Sequence, residues 1–217
     1  MTPEEVLDLL QKVGAFRSGH FVFTSGRHSD SYVNKDALYP YTHDTSKLCR
    51  AMAEQFRDKN VDVVVGPAVG AAILSQWVAY HLTEMNGREV YGIYADKDPS
   101  MDSGQAGKGG FILKRGYDKL VKGKRVLVVE DLTTTGGSIK KVVETARALG
   151  ADIVGAIAIV NRGGVTKELV GNPPVFSSLV ELHLESWTES ECDLCKKGIP
   201  VNTEIGHGRE YAARKES

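Results

Sequence analysis

R-V-L-V-V-E-D-L-T-T-T-G-G-S, running from Arg125 to Ser138, is the stretch on which the fold turns. Val126 to Val129 is a short, uninterrupted apolar run, the pattern of a central strand in a parallel sheet with both faces covered. Glu130 and Asp131 follow where such a strand ends, and in open α/β sheets ligands bind in the crevice outside the strands' carboxyl ends. Thr133, Thr134, Thr135, Gly136, Gly137 and Ser138 then form a turn rich in hydroxyls and glycines, and Ile139, Val142, Val143, Ala146 and Leu149 share one face of the helix behind it. Backbone N–H groups at a helix start attract an anion, which makes the turn a candidate phosphate cradle. Two carboxylates beside a bare phosphate would repel it. A sugar phosphate removes the conflict: amides and hydroxyls hold the phosphate, while Glu130 and Asp131 accept hydrogen bonds from sugar hydroxyls and favour positive charge at the ring. The plain alternative is an ordinary strand-turn-helix with a polar turn. A nucleotide P-loop finds no support, because the chain has no G-x-x-x-x-G-K-[ST] and no G-x-G-x-x-G between a strand and a helix.

With 217 residues the chain can bury a sizeable core, and one domain with an appendage is the expected organisation. Its 41% hydrophobic and 25% charged residues are ordinary for a soluble globular protein. A net charge of −1 gives no basic field, so nucleic acid is not an expected partner. Residues 63–80 carry no charge over nearly a membrane span, but Gly66-Pro67, Gly70, Ser75 and Gln76 favour strand-turn-helix in a core, and no membrane partner is expected. The N-terminus lacks an apolar signal core, and three cysteines are too few for a disulfide scaffold; both suit a cytoplasmic, reducing setting.

Around the central stretch the chain alternates. Thr2-Pro3-Glu4-Glu5 announces a helix with apolar face Val6, Leu9, Leu10 and Val13, ended by Gly14. Phe21-Val22-Phe23 and Tyr32-Val33 read as short strands around a polar loop, 24–30. A helix over 42–56 carries Leu48, Met52 and Phe56, with Cys49 in the core. Val61 to Val65 is a buried strand, and Gly66-Pro67-Ala68-Val69-Gly70 a tight turn into the helix of Ala71, Leu74 and Val78. A strand follows over 89–94, then a polar, glycine-rich segment over 95–110 that cannot bury itself. Ile153 to Val160 and the region of Leu179 give two more strands, the former ending in Asn161-Arg162-Gly163-Gly164. Alternation of this kind makes an α/β domain with a mainly parallel sheet flanked by helices.

The Arg125–Ser138 stretch closely resembles the phosphoribosyl pyrophosphate (PRPP) signature of type I phosphoribosyltransferases, and Ser25-Gly26-Arg27 with the G-P-A opening at Gly66 is similar to the orotate phosphoribosyltransferases. The resemblance implies that fold, with a small N-terminal hood over residues 1–40, a phosphoribosyltransferase domain over 1–185 and a C-terminal extension over 186–217. It implies transfer of phosphoribosyl from PRPP to orotate in UMP synthesis, with Mg²⁺ on the pyrophosphate and a homodimeric assembly. A purine-base enzyme or a non-catalytic PRPP-binding relative are the other members it admits. By residue, it implies PRPP contacts from Glu130, Asp131, Leu132, Thr133, Thr134, Thr135, Gly136, Gly137 and Ser138. Ala68, Val69 and Gly70 meet pyrophosphate through backbone amides, since this chain lacks the tyrosine and lysine that many orotate enzymes place there. The catalytic group comprises Asp131, Glu130 and Lys97. Orotate falls to Thr134, Arg162, Ser25, Tyr32 and Val33, where the planar donor fork of Arg162 suits a carboxylate.

The segment over 95–110 corresponds to the family's mobile loop, and the chemistry asks for a cover, because a phosphoribosyl cation exposed to solvent is captured by water. Lys97 and Lys108 are its charges for pyrophosphate. Asp96 stands where the family has arginine, and Lys114 and Arg115 are candidates for the missing charge or, otherwise, a solvated strand edge. In the tail, Cys192-Asp193-Leu194-Cys195 has the spacing of a zinc knuckle. A closed zinc site needs four ligands, and His183 and His207 are the nearest candidates in the sequence. A redox pair and a plain reduced turn stay open beside zinc.

Overall fold

The computed structural model describes residues 1–98, 100 and 109–216. In chain order these give α1 (Pro3–Lys12), β1 (Phe16–Val22), β2 (His28–Val33), α2 (Thr42–Phe56), β3 (Val63–Pro67), α3 (Gly70–Asn86), β4 (Tyr91–Asp98), β5 (Gly110–Ile112) and α4 (Tyr117–Val121). Then come β6 (Arg125–Thr133), α5 (Gly137–Ala148), β7 (Asp152–Asn161), β8 (Phe176–Glu181), α6 (Asp193–Lys196) and α7 (Gly208–Glu216). The chain divides into two compact units, one of Met1–Val6 with Tyr41–Leu182 and one of Leu7–Pro40 with His183–Ser217.

The larger unit is built on a six-stranded sheet in the order β5-β4-β3-β6-β7-β8, parallel except for the antiparallel β4–β5 pair. Five residues of β3 and the run Val126 to Val129 of β6 are buried without interruption, as a doubly covered sheet requires. Side chains alternate along a strand, so Val63, Val65, Val126 and Val128 pack in one cluster with Ile139, Val142, Val143 and Ala146 of α5. Leu48 and Met52 of α2 and Leu74, Val78 and Leu82 of α3 are fully buried as well. At roughly 1.5–3 kcal/mol for each such side chain, these two layers dominate the unit's stability.

Connectivity fixes where a ligand crevice opens. The chain leaves β3 through α3 to reach β4 on one side, and leaves β6 through α5 to reach β7 on the other. The order therefore reverses between the neighbouring strands β3 and β6, and a cleft opens outside their carboxyl ends.

Three boundaries depart from the sequence reading. β4 runs to Asp98, because Asp96, Lys97 and Asp98 pair with Ile112, Phe111 and Gly110 of β5, a short strand that the low apolar content had hidden. The rest of the expected loop, Pro99 and 101–108, lies outside the described residues, and with it Lys108 and the lid expectation. In the smaller unit the polar loop shrinks to a tight turn closed by Phe23 N–H to Arg27 O (2.9 Å) and Gly26 N–H to Phe23 O (2.8 Å), because His28 and Ser29 are buried residues of β2.

The rest of the smaller unit is the antiparallel β1–β2 hairpin with segments of the tail on both edges. Trp187 exchanges two backbone hydrogen bonds with His28 of β2, while Asn202 and His207 donate N–H to His20 O (2.7 Å) and Val22 O (2.9 Å) of β1. At the other end of the chain the capping box forms as its sequence announces: Thr2 N–H donates to Glu5 Oε2 (2.8 Å) and Glu5 N–H to Thr2 Oγ1 (3.3 Å).

Candidate active site

Glu130 and Asp131 are buried near the carboxyl end of β6, and each side chain accepts a nearby amide: Asp131 N–H to Glu130 Oε1 (3.2 Å) and Leu132 N–H to Asp131 Oδ1 (2.6 Å). Thr133, the last residue of the strand, accepts Gly136 N–H on its hydroxyl (3.1 Å), which folds Thr133 to Gly136 into a tight turn. Gly136 has φ +78°, and a Cβ there would meet Leu169 O at 2.9 Å, so both conformation and space demand glycine. Thr134, Thr135 and Ser138 are exposed on this turn.

α5 begins at Gly137 with no side-chain cap and no acid in its first turn. α3 begins at Gly70 in the same way. α1 and α2, by contrast, carry acids in their first turns. An uncapped first turn keeps N–H groups available for an anion. Two such helix starts, after the adjacent strands β3 and β6, suit a ligand with two phosphate groups.

Ala68, Val69 and Gly70 form the turn between β3 and α3. The Ala68–Val69 peptide is cis, Val69 is 82% exposed, and Ala68 N–H donates to Ala95 O (2.8 Å). Gly66 packs so tightly that an added Cβ would lie 2.1 Å from Ala71 O. Ala68 and Val69 share a cavity of about 490 Å³ with Asp96, Lys97, Lys114 and Arg115. Arg115 hydrogen-bonds Asp96 through Nη1 and lies over the Tyr94 ring, 5.5 Å from its centroid. That bond raises the Arg115 pKa further above its ordinary value. A guanidinium from position 115 therefore stands in the cavity beside the Asp96 carboxylate. Lys114 and Arg115 line this cavity, and both are exposed.

Arg162 follows β7. Its N–H donates to Thr133 O (2.9 Å), and a Cβ on Gly163 would sit 1.9 Å from Thr134 O, so the Arg162–Gly163 loop lies directly against the Thr133–Gly136 turn. The buried Asn161 side chain fixes this loop, donating from Nδ2 to Val165 O (2.9 Å) and accepting Val165 N–H (2.9 Å). Sequence reading missed Asn161 as a positioning residue. The signal was available, since an amide ending an all-apolar strand has to find partners.

In the smaller unit, Ser25 is exposed at the hairpin tip, Tyr32 contacts Phe21 and Phe23 (ring centroids 5.5 and 6.2 Å), and Val33 is buried. Arg27 is engaged with Ser186, through Nε to Oγ (3.0 Å) and Nη2 to the carbonyl. The tail's two expected histidines are elsewhere: His183 is exposed, and His207 Nε2 meets the Thr24 hydroxyl (2.9 Å). Cys192 and Cys195 instead face His20 and His28. Cys49 is buried in the core as expected, and burial pushes its thiol pKa up.

Residues 41–189 match the family model described as phosphoribosyl transferase domain. An orotate phosphoribosyltransferase of Caldanaerobacter subterraneus subsp. tengcongensis is 37% identical over 201 residues, covering 93% of this chain and 96% of the relative. Among solved structures, the orotate phosphoribosyltransferase of Aeropyrum pernix is similar at 26% identity and TM-score 0.59, over 82% of this chain and 93% of that one. That of Mycobacterium tuberculosis, in complex with inorganic phosphate, shares the fold at 24% identity and TM-score 0.63, over 82% and 94%.

Proposed function

We propose, for a chain that belongs to the phosphoribosyltransferase family and stands among its orotate phosphoribosyltransferases, that it transfers phosphoribosyl from PRPP to orotate, giving orotidine 5′-phosphate and pyrophosphate. The observation that carries the reading is the Arg162–Thr133 contact, which joins a guanidinium-bearing loop to the phosphate turn. Orotate differs from uracil by a carboxylate, and a guanidinium is the side chain that recognises a carboxylate with two parallel hydrogen bonds.

In this reading the amides and hydroxyls of Thr133 to Ser138 hold the 5′-phosphate. Glu130 and Asp131 accept the ribose hydroxyls and favour positive charge on the ring as the bond from C1 to pyrophosphate lengthens. The Ala68–Gly70 amides, Lys97, Lys114 and Arg115 take up the negative charge of the leaving group, and Lys108 adds to them. A base nitrogen closes on C1 as pyrophosphate departs, so no protein nucleophile is needed. Positioning and preorganised charge supply the rate. Thr134 and Arg162 hold the base.

Mg²⁺ keeps several waters and is usually held by one or two carboxylates with substrate phosphates. Here the ion would be held through the phosphates of PRPP, with no protein ligand of its own, and would neutralise charge on the pyrophosphate. Three cysteines are too few for a disulfide scaffold, which supports a reducing, cytoplasmic setting. Among the described residues no helix is long and apolar enough to cross a membrane. A second copy of the chain is the proposed partner, supported by exposed Ile73 and Tyr80, which share a face of α3 with Trp77.

The test is pyrophosphate release from PRPP and Mg²⁺ with orotate, run beside uracil, adenine, guanine and xanthine. Release with orotate is expected. Release with a purine instead would keep the donor site and overturn the base, and PRPP binding without release would mark a regulatory relative.

A further inference from the structure

His20, His28, Cys192 and Cys195 offer one ligand atom each, all within 4.8 Å of one another. We infer that these four side chains form a structural zinc site of Cys2His2 type within the smaller unit. The topology explains how they meet. Val22 pairs directly with His28, and His20 lies two residues before Val22, so both imidazoles stand on one face of the hairpin. Cys192 immediately precedes the single turn of α6 and Cys195 lies within it, so the thiols are three residues apart on one side. Trp187, bonded to His28, brings that turn in on one edge, and Asn202, bonded to His20, holds the chain beyond it on the other.

Donor geometry suits a cation among the four side chains. His20 Nδ1 lies 2.7 Å from Ile199 O, and a carbonyl only accepts, so the proton sits on Nδ1. In the neutral ring Nε2 is then a bare lone pair. It faces His28 Nδ1 (2.8 Å), Cys192 Sγ (3.5 Å) and Cys195 Sγ (3.7 Å), while His28 Nδ1 faces Cys195 Sγ (3.4 Å). For tetrahedral zinc at about 2.05 Å from nitrogen and 2.3 Å from sulfur, neighbouring N and S ligands stand about 3.6 Å apart. All three observed N···S separations match, while the two imidazole nitrogens, 2.8 Å apart, would have to part by about 0.5 Å to reach the roughly 3.3 Å of two nitrogen ligands on one zinc. A backbone carbonyl on the far nitrogen is also the usual orienting partner of a metal-bound histidine.

His28 points the same way. Among the described residues its buried Nε2 has no hydrogen-bond partner, so the polar contacts of the ring run through Nδ1, into the cluster. Two thiolates and two imidazoles are the donor set of zinc. His20, His28 and Cys192 are buried, leaving no open position for a substrate, which makes the site structural. The need is evident as well. The unit has roughly 70 residues and a thin core, and domains of that size usually require a staple. The cluster links positions 167 to 175 residues apart.

The experiment is metal analysis of the full native chain, followed by replacement with Co²⁺. About one equivalent of zinc per chain is expected, together with a thiolate-to-cobalt charge-transfer band and strong visible absorption of a tetrahedral site. Cys192→Ser and His20→Ala should lose most of the metal, whereas His183→Ala and His207→Ala should keep it. A chelator should lower the melting temperature of the native chain and leave that of Cys192→Ser unchanged. A native chain expressed with ample zinc that carries none and gives no cobalt band, or that holds a Cys192–Cys195 disulfide, would overturn the assignment. So would full retention of zinc by Cys192→Ser.

Discussion

Gly163→Ala should damage the site without removing any group proposed to touch a ligand. A Cβ built on Gly163 lies 1.9 Å from Thr134 O and 2.8 Å from its carbonyl carbon. Carbon and oxygen ordinarily approach to about 3.3 Å, so one of the two loops has to recede by roughly 1.4 Å. Neither is free to do so. The Thr133–Gly136 turn is closed by the Thr133 hydroxyl and wedged against Leu169 O, and Asn161 holds the Arg162–Val165 loop with two hydrogen bonds of 2.9 Å. A misplacement of about 1 Å can cost on the order of 10²-fold in rate, equivalent to about 2.7 kcal/mol of transition-state stabilisation. Overpacking itself should remove about 1–3 kcal/mol of stability, or roughly 2–12 °C in melting temperature for a chain of this length. The assay is pyrophosphate release at varied orotate and PRPP, with thermal melts in parallel. Gly155→Ala is the contrast: its Cβ would meet Phe56 Cε1 at 2.3 Å in the core, so it should lower the melting temperature and leave kcat/KM near native. A Gly163→Ala enzyme with native kcat/KM would refute the argument that these two loops position each other.

Asp131→Asn should lower kcat by about 10²–10³-fold with a small effect on melting, because it removes charge that acts on the transition state; unchanged kcat would sink that role. Arg115→Ala should raise KM for PRPP, and the same rise in an Asp96→Asn variant that retains Arg115 would show that the ion pair, more than the cation, matters. Thr2→Ala should cost about 0.5–2 kcal/mol through loss of the capping box, measured by denaturant unfolding. Burial favours the neutral thiol of Cys49, so its thiolate is suppressed in the folded chain; iodoacetamide should leave it unlabelled until denaturant is added, and labelling of the native protein would contradict its place in the core.

The larger unit was legible because its elements are long and their periods unambiguous. Val126 to Val129 and Ile153 to Val160 read as buried strands from composition alone, and the helix over 42–56 appears with those bounds. The Thr133–Ser138 turn was legible because glycine and hydroxyl residues there answer to backbone geometry. β5 was hidden, since three half-buried residues beside a polar segment carry no period. The ion pair of Asp96 and Arg115 was hidden for another reason: it joins side chains 19 positions apart that only the folded chain brings together. The histidines of the tail cluster escaped for the same cause, as His20 and His28 stand far from the cysteines in sequence and read as parts of an ordinary hairpin.

The central claim is that Arg162 reads the carboxylate of the base, and the direct measurement is kcat/KM for orotate and for uracil in the native chain and in Arg162→Ala. A site built around a buried polar contact rejects an analogue that lacks the group by on the order of 10⁴-fold. The native chain should prefer orotate by about that factor, and Arg162→Ala should collapse the preference by losing rate with orotate alone. An Arg162→Ala enzyme that still prefers orotate to the native extent would contradict the account.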